Sequence, residues 1–396
     1  MAKGREKLCF ASNTALWMTM AFCLLGTQEI VANGKESSVA TILVREFHTS
    51  IPASLPKIQY LILSDANFTG RLPSQFGNLS NLLSLDLSAI HWSQAINKLP
   101  SLIHLNLRHC SLPPLTTPSL SPVNFSAPLA FLDLSWNDLT SSIYSWLFNF
   151  PTTLIHFDLS LNADLNGSIP EAFGNMSSLE YLDISQNQLQ GSIPDAFGNM
   201  SSLTYFDLSS NQLQGSIPDT VGNMASLEEL YLHDNKLEGE IPKSLSNLCH
   251  LQKLALQSNN LSGQLPQDLL ACANDTLEIL YLSYNQFTGS VPDLIGFSSL
   301  RVLYLGYNQL NGTLPTSIGH LTKLQWLDIG SNSLQGVISE AHLFHLSDLH
   351  TLDLSSNSLT FNMSLEWVPP FQLFSLALTS CQLGPHFPSW LRTQSS

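Results

Sequence analysis

The stretch LEYLDISQNQLQGSIP, residues 179–194, carries the pattern from which the fold can be predicted. Leu182 and Ile184 alternate with polar residues, which predicts a short strand with one apolar face. Asn187 follows where the chain must turn, and its amide can bond backbone groups that the turn leaves unpaired. Gly191 permits a tight bend, and Pro194 keeps the next segment from extending the strand. The pattern returns as LTYFDLSSNQLQGSIP and LEELYLHDNKLEGEIP, so the chain repeats one structural unit.

The asparagine of this unit recurs at spacings of 23 to 26 residues along most of the chain. One copy cannot bury its own leucines, so the copies must stack and share an elongated core, with the amides forming a ladder. We predict an α/β solenoid with a parallel concave β-sheet and about fourteen repeats over residues 55–396. The ladder positions are Asn137, Asn162, Asn187, Asn211, Asn235, Asn259, Asn285, Asn308, Asn332 and Asn357.

Some repeats depart from the pattern. Ala66, Ile90, Cys110 and Cys381 replace the asparagine. Residues 111–127 are rich in proline and serine and lengthen their repeat, which predicts a loop at the edge of the solenoid.

Composition excludes some classes of partner. Only 11% of the residues are charged and the net charge is −15, so nucleic acid is not an expected partner. A basic peptide or protein is compatible with this charge, although the acidity can also serve solubility alone.

Residues 1–32 have the pattern of a secretory signal. Lys3, Arg5 and Lys7 precede an apolar run that is densest over residues 15–25 and is short for a membrane span. We predict a signal peptide over 1–32, with an uncleaved signal anchor as the alternative, and an irregular segment over 33–54. Ten Asn-x-Ser/Thr sequences agree with secretion and glycosylation: Asn67, Asn78, Asn124, Asn166, Asn175, Asn199, Asn260, Asn274, Asn311 and Asn362.

Two cysteines lie at equivalent places in adjacent repeats. Cys249 and Cys272 would be about a strand spacing apart, which is compatible with a disulfide worth about 3 kcal/mol. Two separate buried thiols are the alternative. Cys110 and Cys381 are far apart, and we expect small buried thiols at these positions.

The sequence shows no signature of catalysis. We find no hydrolase elbow, phosphate-binding loop or kinase motif. His342 and His345 are the closest histidine pair, and no third ligand accompanies them. We therefore predict no enzymatic activity, no cofactor and no metal.

The strand face opposite the leucines offers a recognition surface, because alternate side chains point away from the core. An aspartate row occupies the early repeats, and aspartate at this position is also common filler. Later repeats carry aromatic side chains, which bury large areas in interfaces but also stabilise sheets by cross-strand contacts. We predict a ligand-binding patch formed by Tyr231, Tyr281, Tyr284, Tyr304, Tyr307 and Trp326.

The repeat resembles the leucine-rich repeat, L-x-x-L-x-L-x-x-N-x-L, and its Gly-x-Ile-Pro tail resembles the plant extracellular subtype. The segments 371–391 and 248–274 are similar to plant receptor-like proteins of the elicitor and disease-resistance type. This resemblance implies a right-handed superhelix at the plasma membrane, on its extracellular face. It also implies a peptide or protein ligand on the concave face and signalling, in defence or development, through a co-receptor kinase.

The family usually adds cysteine-bearing caps and a membrane span, so we expect this chain to be part of a longer receptor. Membrane association would then belong to the full-length form or to an uncleaved N-terminal anchor. Plant polygalacturonase-inhibiting proteins use the same repeat, and a secreted, apoplastic inhibitor of a microbial cell-wall-degrading enzyme is the alternative. A fragment without function is a third possibility.

Overall fold

The computed structural model describes residues 39–41, 60–63, 82, 84–87, 99, 101–112, 114, 128–148, 153–383 and 388–394. The predicted signal, the irregular segment except for 39–41, most of the loop at 111–127, Ala66, Ile90, and the glycosylation sites Asn67, Asn78 and Asn124 lie outside these residues.

Each described repeat contributes one short strand to a parallel sheet, as the alternation in the sequence predicts. Leu182, Phe206 and Leu230 lie side by side in register and are fully buried, so these strands direct their central residues into the core. Within the described part of the chain, this sheet has fifteen strands: Val39–Thr41, Tyr60–Leu63, Ser84–Leu87, His104–Asn106, Phe131–Asp133, His156–Asp158, Tyr181–Asp183, Tyr205–Asp207, Glu229–Tyr231, Lys253–Ala255, Ile279–Tyr281, Val302–Tyr304, Trp326–Asp328, Thr351–Asp353 and Ser375–Ala377.

A second set of short strands follows the asparagine turns, and sequence analysis did not predict it. Most of its strands begin one residue after a ladder asparagine, and most contain the glycine of the repeat's tail, such as Gly191, which has a φ of +81°. Its strands form a six-stranded and a three-stranded group: Asn166–Ser168, Gln188–Gly191, Gln212–Gly215, Lys236–Gly239, Asn260–Gln264, Gln286–Thr288, and Asn311–Gly312, Ser333–Ile338, Ser358–Phe361.

The side opposite the concave sheet is built from single helical turns. Pro194 immediately precedes one of them and fixes the extended φ from which the turn starts. Most are 3-10 helices: Glu171–Asn175, Asp195–Asn199, Asp219–Asn223, Lys243–Asn247, Ala271–Ala273, Thr316–His320, Glu340–His342 and Ser389–Thr393, with one α-helix at Ile143–Leu147. Strands and helical turns confirm the predicted α/β solenoid.

The asparagine ladder connects each repeat to the one before it. The Asn211 amide donates to the carbonyl oxygens of Ile184 in the preceding repeat (3.1 Å) and Leu208 in its own (3.1 Å). Its Oδ1 accepts the Leu189 N–H at 3.0 Å. All ten ladder asparagines donate to a carbonyl of the preceding repeat in the same way. The ladder satisfies backbone groups that burial would otherwise leave unpaired.

The cysteines outside the N-terminal segment occupy two kinds of position. Cys249 and Cys272 form the expected disulfide between adjacent repeats, with their Cα atoms 4.5 Å apart. Cys110 is buried, whereas Cys381 is half-buried. The Cys381 thiol donates to the Leu354 carbonyl oxygen at 3.3 Å, and so replaces one bond of the missing asparagine.

Candidate ligand-binding face

The concave face is made of parallel columns of side chains. In a strand such as Tyr181–Asp183, the first and third residues face outward while the second is buried. We call the column of first residues the leading column and the column of third residues the trailing column. A serine two residues beyond the strand, such as Ser185, extends the same face. The two columns hold four of the six residues of the predicted patch: Tyr231, Tyr281, Tyr304 and Trp326.

The aspartates of the early trailing column are structural. Asp183 is 9% exposed, and its Oδ1 accepts the backbone N–H of Ser185 at 2.9 Å. Asp158 accepts both the N–H and the hydroxyl of Ser160, at 2.9 and 2.7 Å. Asp133 and Asp207 repeat this arrangement. Such local bonds stabilise the turn at the strand end, which explains the row without a ligand.

Burial changes the ionisation of this row. Removal from water and then the neighbouring Asp183 carboxylate raise the pKa of Asp158 to about 7. Burial and then Asp207 raise the pKa of Asp183 to about 6. Charged carboxylates one strand spacing apart repel each other, so protonation of one member relieves the others. The row therefore carries less negative charge near neutral pH than its composition indicates.

Aromatic rings cover this row, and sequence analysis missed them. In the leading column the neighbouring ring centroids are 4.0 to 4.3 Å apart and the planes lie within 14° of parallel. We call this set the N-terminal aromatic column: His104, Phe131, His156, Tyr181 and Tyr205. Reading the residue before each L-x-L element, in addition to its middle residue, would have found it.

The column is tied to the aspartates beneath it. The Tyr205 hydroxyl donates to Asp207 Oδ2 at 3.3 Å. Burial lowers the pKa of His156 to about 4, so this ring stacks as a neutral imidazole at physiological pH. Because the rings cover one another's faces, the column presents mainly ring edges to the concave space.

The structure divides the predicted patch. Tyr231 pairs in register with Ala255, which separates it from Tyr281. Its ring lies 5.5 Å from Tyr205, and its hydroxyl donates to Glu229 Oε2 at 2.5 Å. Tyr231 therefore packs against the end of the N-terminal aromatic column and does not join the other five predicted residues. The small alanine side chain leaves the gap.

Two of those five residues stand side by side in the trailing column. Tyr281 and Tyr304 are paired in register, with ring centroids 5.0 Å apart. Trp326 lies in the leading column of the next strand, two residues before Asp328 and therefore on the same face. We call Tyr281, Tyr304 and Trp326, with the tyrosine pair described next, the C-terminal aromatic patch.

The remaining two tyrosines lie at the strand exits. Tyr284 and Tyr307 stack with centroids 4.3 Å apart and are 53% and 51% exposed. Both have left-handed backbone, with φ of 55° and 54°. A bulky side chain is unusual in this conformation, and the equivalent residues Ser331 and Ser356 show that the turn itself does not require one. This pair exposes aromatic surface without contributing to the core.

Predicted glycosylation sites lie away from this face. Of the seven in the described chain, Asn274 is half-buried and the others are exposed. Asn166, Asn260 and Asn311 begin strands of the second set, and Asn362 follows the last of them. Asn175 and Asn199 end 3-10 helices on the opposite side of the solenoid. Glycans at these asparagines would leave the concave sheet uncovered.

The described residues show no metal-binding or membrane-spanning feature. Within them, no group of three or more histidine, cysteine or acidic residues could hold a metal ion. His342 instead bonds Ser339 and the Leu314 carbonyl oxygen, so it stabilises a helical turn. None of the helices in the described ranges is long and apolar enough to cross a membrane.

Comparison with known proteins defines the class. A leucine-rich-repeat family model matches residues 152–213, 188–237 and 275–334, and a second matches 57–79 and 250–272. With the solenoid and its asparagine ladder, these matches identify a leucine-rich-repeat protein.

The curated relatives identify the type more closely. The chain is 38% identical over 179 residues to "Receptor-like protein EIX1" of Solanum lycopersicum, and this match covers 36% of the chain and 17% of that relative. It is 30% identical over 186 residues to "Receptor-like protein 39" of Arabidopsis thaliana, a match that covers 45% of the chain and 18% of the relative. The chain is similar to these plant receptor-like proteins and matches less than a fifth of their length.

Solved structures with the same fold include plant hormone receptors. The Arabidopsis receptor kinase HAESA, in complex with the peptide hormone IDA, is 32% identical with a TM-score of 0.60, and the match covers 84% of this chain and 64% of that chain. A further HAESA structure, at 29% identity and a TM-score of 0.54 over 84% and 68% of the two chains, also contains the co-receptor SERK1.

Proposed function

We propose that this chain is the ligand-recognition part of a plant cell-surface receptor-like protein. In this proposal it binds a peptide or protein elicitor on its concave face and signals through a partner kinase. The observation that carries the proposal is the C-terminal aromatic patch on a sheet free of described glycosylation sites. Aromatic side chains dominate binding energy in interfaces, since they bury large areas at a small entropic cost.

Relatives and structural neighbours support the same function. The curated relatives are receptor-like proteins, and HAESA binds a peptide hormone and a co-receptor. We therefore propose an extracellular location at the plasma membrane and a co-receptor kinase as the partner. The secreted-inhibitor alternative uses the same face, and no feature of the described residues favours it.

The experiment selects ligands without knowing the natural one. The full chain is secreted from plant cells, and random dodecapeptides displayed on phage are selected against it. Selected peptides should lose at least tenfold in affinity when Tyr284 and Tyr307 are both replaced by serine, the residue found at this turn in other repeats. Because serine is native to the position, the solenoid should fold normally.

The matched control is Phe344→Ala. Phe344 is 60% exposed and lies beside the helical turn Glu340–His342, away from the concave sheet. It should leave the affinity within twofold of wild type. Peptides that bind the serine variant normally but lose affinity for the Phe344 variant would place recognition on the other face and overturn the proposal.

A further inference from the structure

Two glycines interrupt the serines that border the trailing column. Gly306 and Gly330 occupy the position filled by Ser135, Ser160, Ser185, Ser209, Ser283 and Ser355 in other repeats. Neither glycine has a positive φ, so the backbone does not require glycine at either place. Their effect is therefore to remove two side chains from the concave surface.

The missing side chains face two carboxylates. A Cβ atom on Gly306 would lie 2.7 Å from Asp328 Oδ1, and one on Gly330 would lie 2.8 Å from Asp353 Oδ1. Asp328 and Asp353 are half-buried, whereas the four aspartates from Asp133 to Asp207 are at most 9% exposed. Glycine in the adjacent repeat thus leaves these two carboxylates accessible.

Aromatic side chains border the same opening. Tyr304 pairs in register with Asp328, and Trp326 precedes Asp328 by two residues on the same face. The exposed Tyr307 follows Gly306 directly in the chain. Carboxylates with adjacent aromatic rings favour a cation, since charge pairing and the ring quadrupole act in the same direction.

No basic side chain of the described chain pairs with these carboxylates. The described salt bridges of Lys and Arg join Lys253 to Glu229 and Arg301 to Glu278. We propose that the surface over Gly306 and Gly330 is a subsite for one basic side chain, arginine or lysine, of the peptide ligand. This inference rests on the proposed function and adds the chemical class of the ligand.

The test compares arginine with citrulline, its neutral analogue. Dodecapeptides selected on the wild-type chain should be enriched in arginine or lysine. Replacing the critical arginine by citrulline should weaken binding to wild type by at least tenfold. It should weaken binding to Asp328→Asn by a smaller factor than binding to wild type, because the variant has lost one of the two carboxylates that the guanidinium faces.

Two further variants separate the subsite from folding. In the wild-type chain the Gly330 N–H donates to Asp328 Oδ1 at 2.9 Å, and the asparagine of Asp328→Asn keeps an oxygen that can accept this bond. The control is Asp207→Asn, because Asp207 also accepts a backbone N–H, that of Ser209 at 2.8 Å, but it lies beneath Tyr205. This control should leave peptide affinity unchanged, and the loss of affinity on replacing arginine by citrulline should be the same as in wild type. Gly330→Ser should weaken binding at least fivefold, since serine would cover the Asp353 carboxylate.

The outcomes distinguish this inference from the proposed function. Equal citrulline effects on wild type and Asp328→Asn, with binding still lost in the double serine variant of Tyr284 and Tyr307, would overturn the subsite alone. Selected peptides with no basic residue would do the same. Failure to select any peptide that binds the concave face would overturn both.

Discussion

Replacement of one ladder asparagine tests the physical account of the repeat. In Asn211→Ala, the buried Leu189 N–H loses the acceptor that lies 3.0 Å away. Three carbonyl oxygens lose one donor each, but each keeps another: Ile184 from Asn187, Leu208 from Asn235, and Ser209 from the Gln186 N–H. One unpaired buried donor costs about 1–3 kcal/mol, and the three weakened acceptors add fractions of that. We expect a total loss of about 3 kcal/mol.

Chemically graded variants make the test specific. Asn211→Cys should cost less than alanine, because a thiol can donate one bond, as Cys381 does to the Leu354 carbonyl oxygen. Asn211→Asp should cost more, since it places a carboxylate against carbonyl oxygens that require a donor. Gln214→Ala changes an exposed side chain of the same repeat and should stay within about 0.5 kcal/mol of wild type.

Hydrogen exchange with mass spectrometry is the appropriate assay, because a long solenoid need not unfold in two states. A loss of about 3 kcal/mol corresponds to exchange on the order of a hundredfold faster for amides around Leu189. An alanine variant that exchanges like Gln214→Ala, or an aspartate variant as protected as wild type, would refute the ladder argument.

Three other predictions concern charge, packing and the cross-link. The raised pKa of Asp158 means that its protonated form stabilises the fold at low pH, and this stability is lost as the pH rises toward about 7. His104 and His156 have lowered pKa values, so the fold loses stability as the pH falls below the usual pKa of histidine. Denaturation from pH 5 to 7.5 should therefore show Asp158→Asn gaining on wild type as the pH rises, and a constant difference would contradict this. Gly198→Ala should cost more than about 2 kcal/mol, because its Cβ would lie 2.6 Å from the Thr220 carbonyl oxygen. If hydrogen exchange of the amides around Gly198 shows a loss of about 0.5 kcal/mol or less, the helical turns can separate freely. A serine variant of both disulfide cysteines should lose about 3 kcal/mol in the same assay, and no difference from wild type would mean that the cross-link leaves the unfolded chain unconstrained.

The repeating architecture follows from local sequence patterns alone. Each repeat carries its own strand, turn and bend within about 24 residues, so local spacing was sufficient to predict the solenoid and the ladder. Stacking then follows because each apolar face needs a neighbour. The juxtaposition of Cys249 and Cys272 was predictable for the same reason, since equivalent positions of adjacent repeats become neighbours in space.

The division of the concave face depends on contacts that form between repeats in the folded chain. The middle residue of each L-x-L element gave no reason to separate Asp183 from Asp328, or Tyr231 from Tyr281. Packing between strands covers Asp183 and leaves Asp328 accessible, and the side chain of Ala255 separates Tyr231 from the C-terminal aromatic patch. These differences depend on which side chains meet across neighbouring strands. Spacing along the chain fixes where a side chain points, but contacts between repeats fix what covers it.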